Sequence, residues 1–195
     1  VTGTNVLSSS ISAETIFFLL EQAKKSEVKV VIDLNWREFF WDYSNFASDT
    51  SKKGRINLIK KFLNHAHVIK LAKEEATLFF EIENPSLISQ QMSKRPDVII
   101  TDGKNPVSWH INGFQGNTKI PKSQKIVDTT GAGDAFLAGL ISEFISFGYP
   151  KSELEIQACV RFASACGLLT CHGEGAIEPQ PDYEKVSKFL GSLIS

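Results

Sequence analysis

Apolar residues at Ala13, Ile16, Phe17, Leu20 and Ala23 recur at the three- and four-residue spacing of one helical face. They predict a helix over about residues 12–25, with Ser10 or Ser12 as its N-cap. The period then changes. VKVVIDL, residues 28–34, is nearly continuous and β-branched, as in a strand buried on both faces of a parallel sheet. Ile56, Ile59 and Leu63 mark a second helix, HVIKL (67–71) a strand, KEEATLFFEI (73–82) a helix and DVIIT (97–101) a strand. PVSWHINGFQG (106–116) predicts a hairpin turning at Asn112-Gly113. Beyond it, Phe136, Leu140, Ile141 and Phe144 define another helical face. Ser152-x-x-Glu155 forms a capping box opening a helix to about residue 170, and a last helix covers about residues 182–194.

Alternating strands and helices with short connections predict an α/β fold, a doubly wound and mostly parallel sheet with helices on both faces. Such sheets bind ligands at the carboxyl ends of their strands. Three polar clusters follow predicted strands and are placed to meet there: Asp33-x-Asn35-x-Arg37, Thr101-Asp102-Gly103, and the run from Asp128 to Asp134. The opening VTGTNVL also reads as strand-like.

Composition narrows the function classes. The chain has 195 residues, enough for one domain with a sizeable core. Lys and Arg total 21 against 22 Asp and Glu, so no strong field recruits nucleic acid or an anionic membrane. Cys159, Cys166 and Cys171 are too few and too clustered for a disulfide framework, which points to a reducing compartment. No apolar run approaches the roughly 20 residues of a membrane span, and the start lacks the zones of a signal peptide. The expectation is a soluble, cytoplasmic protein.

The chemistry concentrates in DTTGAGDAF, residues 128–136. Gly131-Ala132-Gly133 places small residues where a loop becomes a helix, so backbone N–H groups and the helix dipole can receive an anion. Asp134 falls in the first turn. A carboxylate beside an anion cradle is out of place if the cradle only holds phosphate. It fits if Asp134 removes a proton from a hydroxyl that attacks a phosphoryl group held by the N–H groups. The run is neither a GxxxxGK[ST] loop nor a GxGxxG dinucleotide motif, because Phe136 occupies the third glycine position. On its own it also fits a glycine turn with Asp134 as a helix-start residue.

DTTGAGDAFLAGL resembles the second signature of the PfkB, or ribokinase-like, family of carbohydrate kinases. DLNWREFFW (33–41), with Trp41 at the matching offset, resembles the D-x-N-x-R-x-x-x-W segment of fructokinases and 2-keto-3-deoxygluconate kinases. KLAKEEATLF (70–79) resembles the N-x-x-E segment, ITDGKNPV (100–107) the T-x-G nucleotide loop, and RFASACGLLTCHGEGAI (161–177) the adenine-pocket helix with its G-A-I turn. The matches run in family order along the chain.

The resemblance implies ATP-dependent phosphorylation of a sugar hydroxyl with Mg²⁺. Asp134 would be the base, and Gly131, Ala132 and Gly133 the anion hole. Asn35, Thr101 and Gly103 would lie along the nucleotide, with Arg37 a phosphate or substrate contact and Ser164 on the adenine side. Glu75 would hold Mg²⁺ through ordered water. A monovalent cation, K⁺ in related enzymes, would sit on the backbone carbonyls of Asp128 and Thr130. Three positions depart from the pattern: Ala72 replaces the asparagine of N-x-x-E, Ser164 an asparagine, and Pro106 a glycine. Nothing matches the family's N-terminal Gly-Gly motif or β-lid. Residues 1–195 are therefore read as the C-terminal, nucleotide-binding and catalytic portion of one ribokinase-like domain, a homodimer in its full-length form.

Plainer readings stand beside these. Asp33 and Asn35 can form an Asx turn, Glu75 can complement a helix dipole, and Ala163, Ser164, Ala165 and Gly167 can serve close helix packing. Cys166, Cys171 and His172 lack the spacing of a zinc site. Two other functions remain open: a kinase-like nucleotide-binding or regulatory module that has lost catalysis, and a nucleoside kinase of the same fold.

Overall fold

The computed structural model describes residues 1–37, 52–122 and 126–193. The elements in order are β1 (Thr2–Gly3), a 3-10 turn (Thr4–Leu7), α1 (Ser10–Lys25), β2 (Val31–Asp33), α2 (Lys52–Leu63), β3 (Val68–Ala72), α3 (Lys73–Phe80), α4 (Pro85–Gln91) and β4 (Asp97–Asp102). They continue as β5 (Asn105–Ile111), β6 (Phe114–Thr118), α5 (Ala132–Phe147), α6 (Glu153–Thr170) and α7 (Tyr183–Ser192). Six strands form one sheet in sequential order, and β1 to β4 are mutually parallel. The fold is the expected α/β class, with the β5–β6 hairpin making the sheet mixed.

Two compact units are present, Val1–Asp102 with Ser108–His110, and Gly103–Val107 with Ile111–Ser195. In the first unit, alternate strand residues Ile32, Ile69, Leu71, Val98 and Ile100 share a core with Ala13 and Leu20 of α1, Phe62 of α2, Phe79 of α3 and Ile88 of α4. The four helices therefore lie on one sheet face, as follows when successive right-handed crossovers all advance in the same direction. Lys70 and Asp33 have the opposite parity and belong to the other face. In the second unit, α5 and α6 pack closely. An added Cβ on Gly139 would come within 2.6 Å of Cys166 Sγ and 3.2 Å of Ala163 Cα, so the small residues of α6 do serve close helix packing.

Local chemistry explains where the elements depart from the sequence pattern. The N-cap of α1 is Ser9, not Ser10 or Ser12, and its hydroxyl accepts from the Ser12 N–H. VTGTNVL is extended only at Thr2–Gly3. Thr4 Oγ1 then donates to the Leu34 carbonyl at 2.6 Å and Ser8 Oγ to the Asn5 carbonyl at 2.7 Å, drawing the backbone into a 3-10 turn. Helix α4 was not expected, although Asn84-Pro85 announces it: Asn84 Oδ1 accepts from the Leu87 N–H and Pro85 occupies the first turn. The hairpin turns where the sequence places it, with Asn112 and Gly113 at φ 49° and 80°. Ser152 caps α6 as expected, but the reciprocal carboxylate of Glu155 reaches the Lys151 N–H, one residue further back.

Candidate functional site

In the second unit, α5 starts immediately after Gly131, whose φ of 78° lies in the left-handed region. No side chain caps the helix. The Ala132 N–H turns back to the Thr129 carbonyl at 3.2 Å. The N–H groups of Gly131, Gly133 and Asp134 make no backbone hydrogen bond among the described residues, as geometry requires of a first turn. Of the three residues expected to form the anion hole, Ala132 thus has its donor engaged, and Asp134 adds one that was not counted. Asp134 itself is exposed in the first turn.

This turn is braced by residues remote in sequence. Asp128 Oδ1 accepts from the Thr130 N–H (2.9 Å) and Oγ1 (2.7 Å), while Oδ2 accepts from the Gly175 N–H (2.9 Å). The Thr130 and Gly175 donors hold the Asp128 carboxyl below the usual aspartate range. An added Cβ on Gly131 would meet Ala176 Cα at 2.9 Å, and one on Gly167 would meet the Ala132 carbonyl oxygen at 2.8 Å. The G-E-G-A-I segment and the small positions of α6 therefore shape the beginning of α5.

In the first unit, the candidate residues gather at the carboxyl ends of β2 to β4. Asn35 adopts φ 42°, a conformation asparagine tolerates. Glu75 acts as a clip: Oε1 accepts from the Trp36 N–H at 2.6 Å and Oε2 from the Ala72 N–H at 2.7 Å. Burial pushes the Glu75 carboxyl up, the two N–H groups pull it back, and of the flanking charges Asp33 raises and Lys70 lowers it; the net shift is upward. Each oxygen of a carboxylate has a second lone pair, so the clip does not exhaust its accepting capacity. Thr101 is the register partner of Ala72, and its hydroxyl donates to the Leu71 carbonyl. Both carboxylate oxygens of Asp33 accept from Lys70 Nζ.

The remaining candidates are more dispersed. Arg37 is exposed, and Trp41 lies outside the described residues. Gly103 has φ 52° in the β4–β5 turn. Ser164 is 4% exposed and donates its hydroxyl proton to the Val160 carbonyl at 2.7 Å, so that proton is already committed within α6. A hollow of about 170 Å³ in the second unit, lined by Ala138, Ser142, Phe162, Gln180 and Tyr183 among others, contains none of the expected site residues. Burial pushes the Cys159 and Cys166 thiols up to about 11, making them inert packing groups at neutral pH.

Glu143, on the face of α5 toward Cys159 and Cys166, was overlooked because it sits inside a normal helical pattern. It is 8% exposed, and its Oε1 has no hydrogen-bond partner among the described residues. Burial raises its pKa, so the folded state favours the protonated acid. Its stabilising contribution is complete below the ordinary glutamate range and is lost as pH rises through the raised value. Glu143→Gln is expected to match wild-type stability at pH 4 and to exceed it at pH 8. Thermal melts across this range would show it, and parallel pH profiles would refute it.

The sequence matches the pfkB family carbohydrate kinase over residues 1–183. Probable fructokinase-7 of Arabidopsis thaliana is 32% identical over 144 residues, 70% of this chain and 41% of its own length. Fructokinase of Vibrio alginolyticus is 26% identical over 192 residues, 95% of this chain and 58% of its own. The chain thus spans about half the length of these curated relatives. Among solved structures, Xylella fastidiosa fructokinase with bound ATP superposes with TM-score 0.84 at 24% identity, covering 99% of this chain and 61% of that one. Fructokinase from Vibrio cholerae O395, in its fructose-, ADP- and calcium-bound form, gives TM-score 0.78 at 25% identity over 96% of this chain and 59% of that one. The fold is ribokinase-like. No helix among the described residues is long and apolar enough to cross a membrane.

Proposed function

Because the chain belongs to the pfkB family of carbohydrate kinases, we propose that it carries the phosphoryl-transfer portion of an enzyme that phosphorylates fructose or a related sugar at the expense of ATP. The observation that carries the reading is the start of α5: an unsaturated, glycine-capped first turn with an exposed Asp134 one residue beyond the glycines. Asp134 takes the proton of the sugar hydroxyl. The hydroxyl oxygen forms its bond to the γ-phosphorus, the bond from that phosphorus to the β,γ-bridging oxygen breaks, and ADP leaves. The free N–H groups at Gly131 and Gly133 stabilise the charge on the transferring oxygens. Asn35, Thr101 and Gly103 bind along the nucleotide, and Arg37 supplies a positive charge toward phosphate or sugar.

Among the described residues, no group of three His, Cys, Asp or Glu is placed to hold a metal ion directly. The oxygen donors present fit Mg²⁺ that keeps its waters and phosphate ligands, with the spare lone pairs of Glu75 accepting from those waters. Bound in that way, Mg²⁺ neutralises phosphate charge. The backbone carbonyls of Asp128 and Thr130 accept no backbone hydrogen bond among the described residues, which suits a monovalent cation behind the turn. A second reading, a nucleotide-binding module without turnover, draws on Ala72 and on the committed hydroxyl of Ser164.

The test is calorimetric titration of MgATP into the intact encoded protein, with fructose-dependent ADP release measured in parallel. Binding with sugar-dependent turnover is the expected result. Binding without turnover on any sugar supports the second reading, and absence of binding refutes both.

A further inference from the structure

Lys70 stands in the middle of β3 between Ile69 and Leu71 and is only 7% exposed. Its ammonium meets both oxygens of Asp33, at 3.2 and 3.0 Å, and Asp33 is 6% exposed. The two are register partners on adjacent parallel strands, so the sheet itself sets their separation. Such a pair is a weak argument for stability, because desolvating two charges costs about as much as their attraction returns. Its surroundings suggest another role. Just past Asp33 the chain turns through Asn35 to Trp36, and Glu75 ties the Trp36 N–H to the Ala72 N–H. Asp33 and Glu75 therefore flank one turn, and the field of Lys70 acts on both carboxylates. The ammonium thus offsets the repulsion between the two carboxylates in a partly desolvated space.

We propose that Lys70 is a positioning residue: by neutralising Asp33 beside the turn, it keeps Glu75 seated on the Trp36 and Ala72 N–H groups and Asn35 in its left-handed conformation. The functional half of this statement rests on the kinase reading, in which Asn35 meets the nucleotide and Glu75 receives the waters of Mg²⁺. Lys70 acts through these residues and touches no ligand itself.

The test compares Lys70→Met and the double variant Asp33→Asn/Lys70→Met with wild type, in the intact protein. One readout is hydrogen exchange at the Trp36 and Ala72 amides without nucleotide. The other is the Mg²⁺ concentration giving half-maximal ADP release. Lys70→Met is expected to accelerate exchange at both amides and raise the Mg²⁺ requirement about tenfold, and the double variant to recover both to within about threefold. A pair that served the sheet alone would leave both readouts near their wild-type values in a folded Lys70→Met protein. Unchanged exchange in Lys70→Met, or a double variant no better than the single one, overturns the proposal. Should Lys70→Met not fold, the double variant decides: protected amides support the positioning role, and fast exchange at both in a folded protein refutes it. If wild type shows no Mg²⁺-dependent turnover, the kinase reading fails while the amides still judge Lys70.

Discussion

Asp134→Ala in the intact protein is expected to reduce kcat by about 10³-fold, the scale of a lost general base, while leaving the dissociation constant for MgATP within about threefold. The asymmetry follows from position. Asp134 is exposed, so its removal opens no cavity, and the first-turn N–H groups stay where the Gly131 cap puts them. The helix forfeits only a favourable charge near its positive end, roughly 0.3–1 kcal/mol. Steady-state ADP release and calorimetry measure the two quantities separately. An unchanged rate would sink the assignment of the base, and equal losses in rate and affinity would recast Asp134 as a binding group.

Gly131→Ala is expected to act on both stability and turnover. Alanine at φ 78° pays the left-handed penalty of about 1–2 kcal/mol. Its Cβ would also fall 2.9 Å from both Cα and Cβ of Ala176, where backbone has to move. We expect a total loss of roughly 2–4 kcal/mol, seen as a Tm lower by several degrees, because overpacking adds to the conformational term. Turnover should fall by about 10²-fold or more as the first-turn donors shift. Gly191→Ala is the control: it lies in α7, an added Cβ meets nothing within 4 Å, and it should stabilise by about 0.5–1 kcal/mol. Similar melting behaviour for the two variants would show that the Gly131 turn is not under this constraint.

Period and punctuation made most of the fold legible. The core strands HVIKL and DVIIT announce themselves by short apolar runs, the hairpin by Asn-Gly, and α6 by Ser152-x-x-Glu155. What escaped was decided by side-chain hydrogen bonds a few residues apart: the 3-10 turn after Gly3, the shift of the α1 cap to Ser9, and α4 behind Asn84-Pro85. The candidate site was legible as motifs but not as connections. That DTTGAGD and GEGAI belong together is visible only once Asp128 meets Gly175 and Gly131 meets Ala176. Likewise the lysine inside HVIKL passed without remark in the strand pattern, and its partner could be any acid until register paired it with Asp33. Glu75 illustrates the opposite case: its position at the start of a helix suggested a solvated charge, and the structure makes it a clip between two backbone segments.

The bond from Asp128 to the Gly175 N–H spans 47 residues, and between its ends lie α5 and α6. Closing that loop early would cost chain entropy with little return, whereas the two helices can form locally and dock as a hairpin. The Gly131 turn is thus a late product of folding in the second unit, locked when the end of α6 delivers Gly175 and Ala176 to it. A chain released or cut before that point would hold Asp134 on a formed helix while the turn in front of it was still unset.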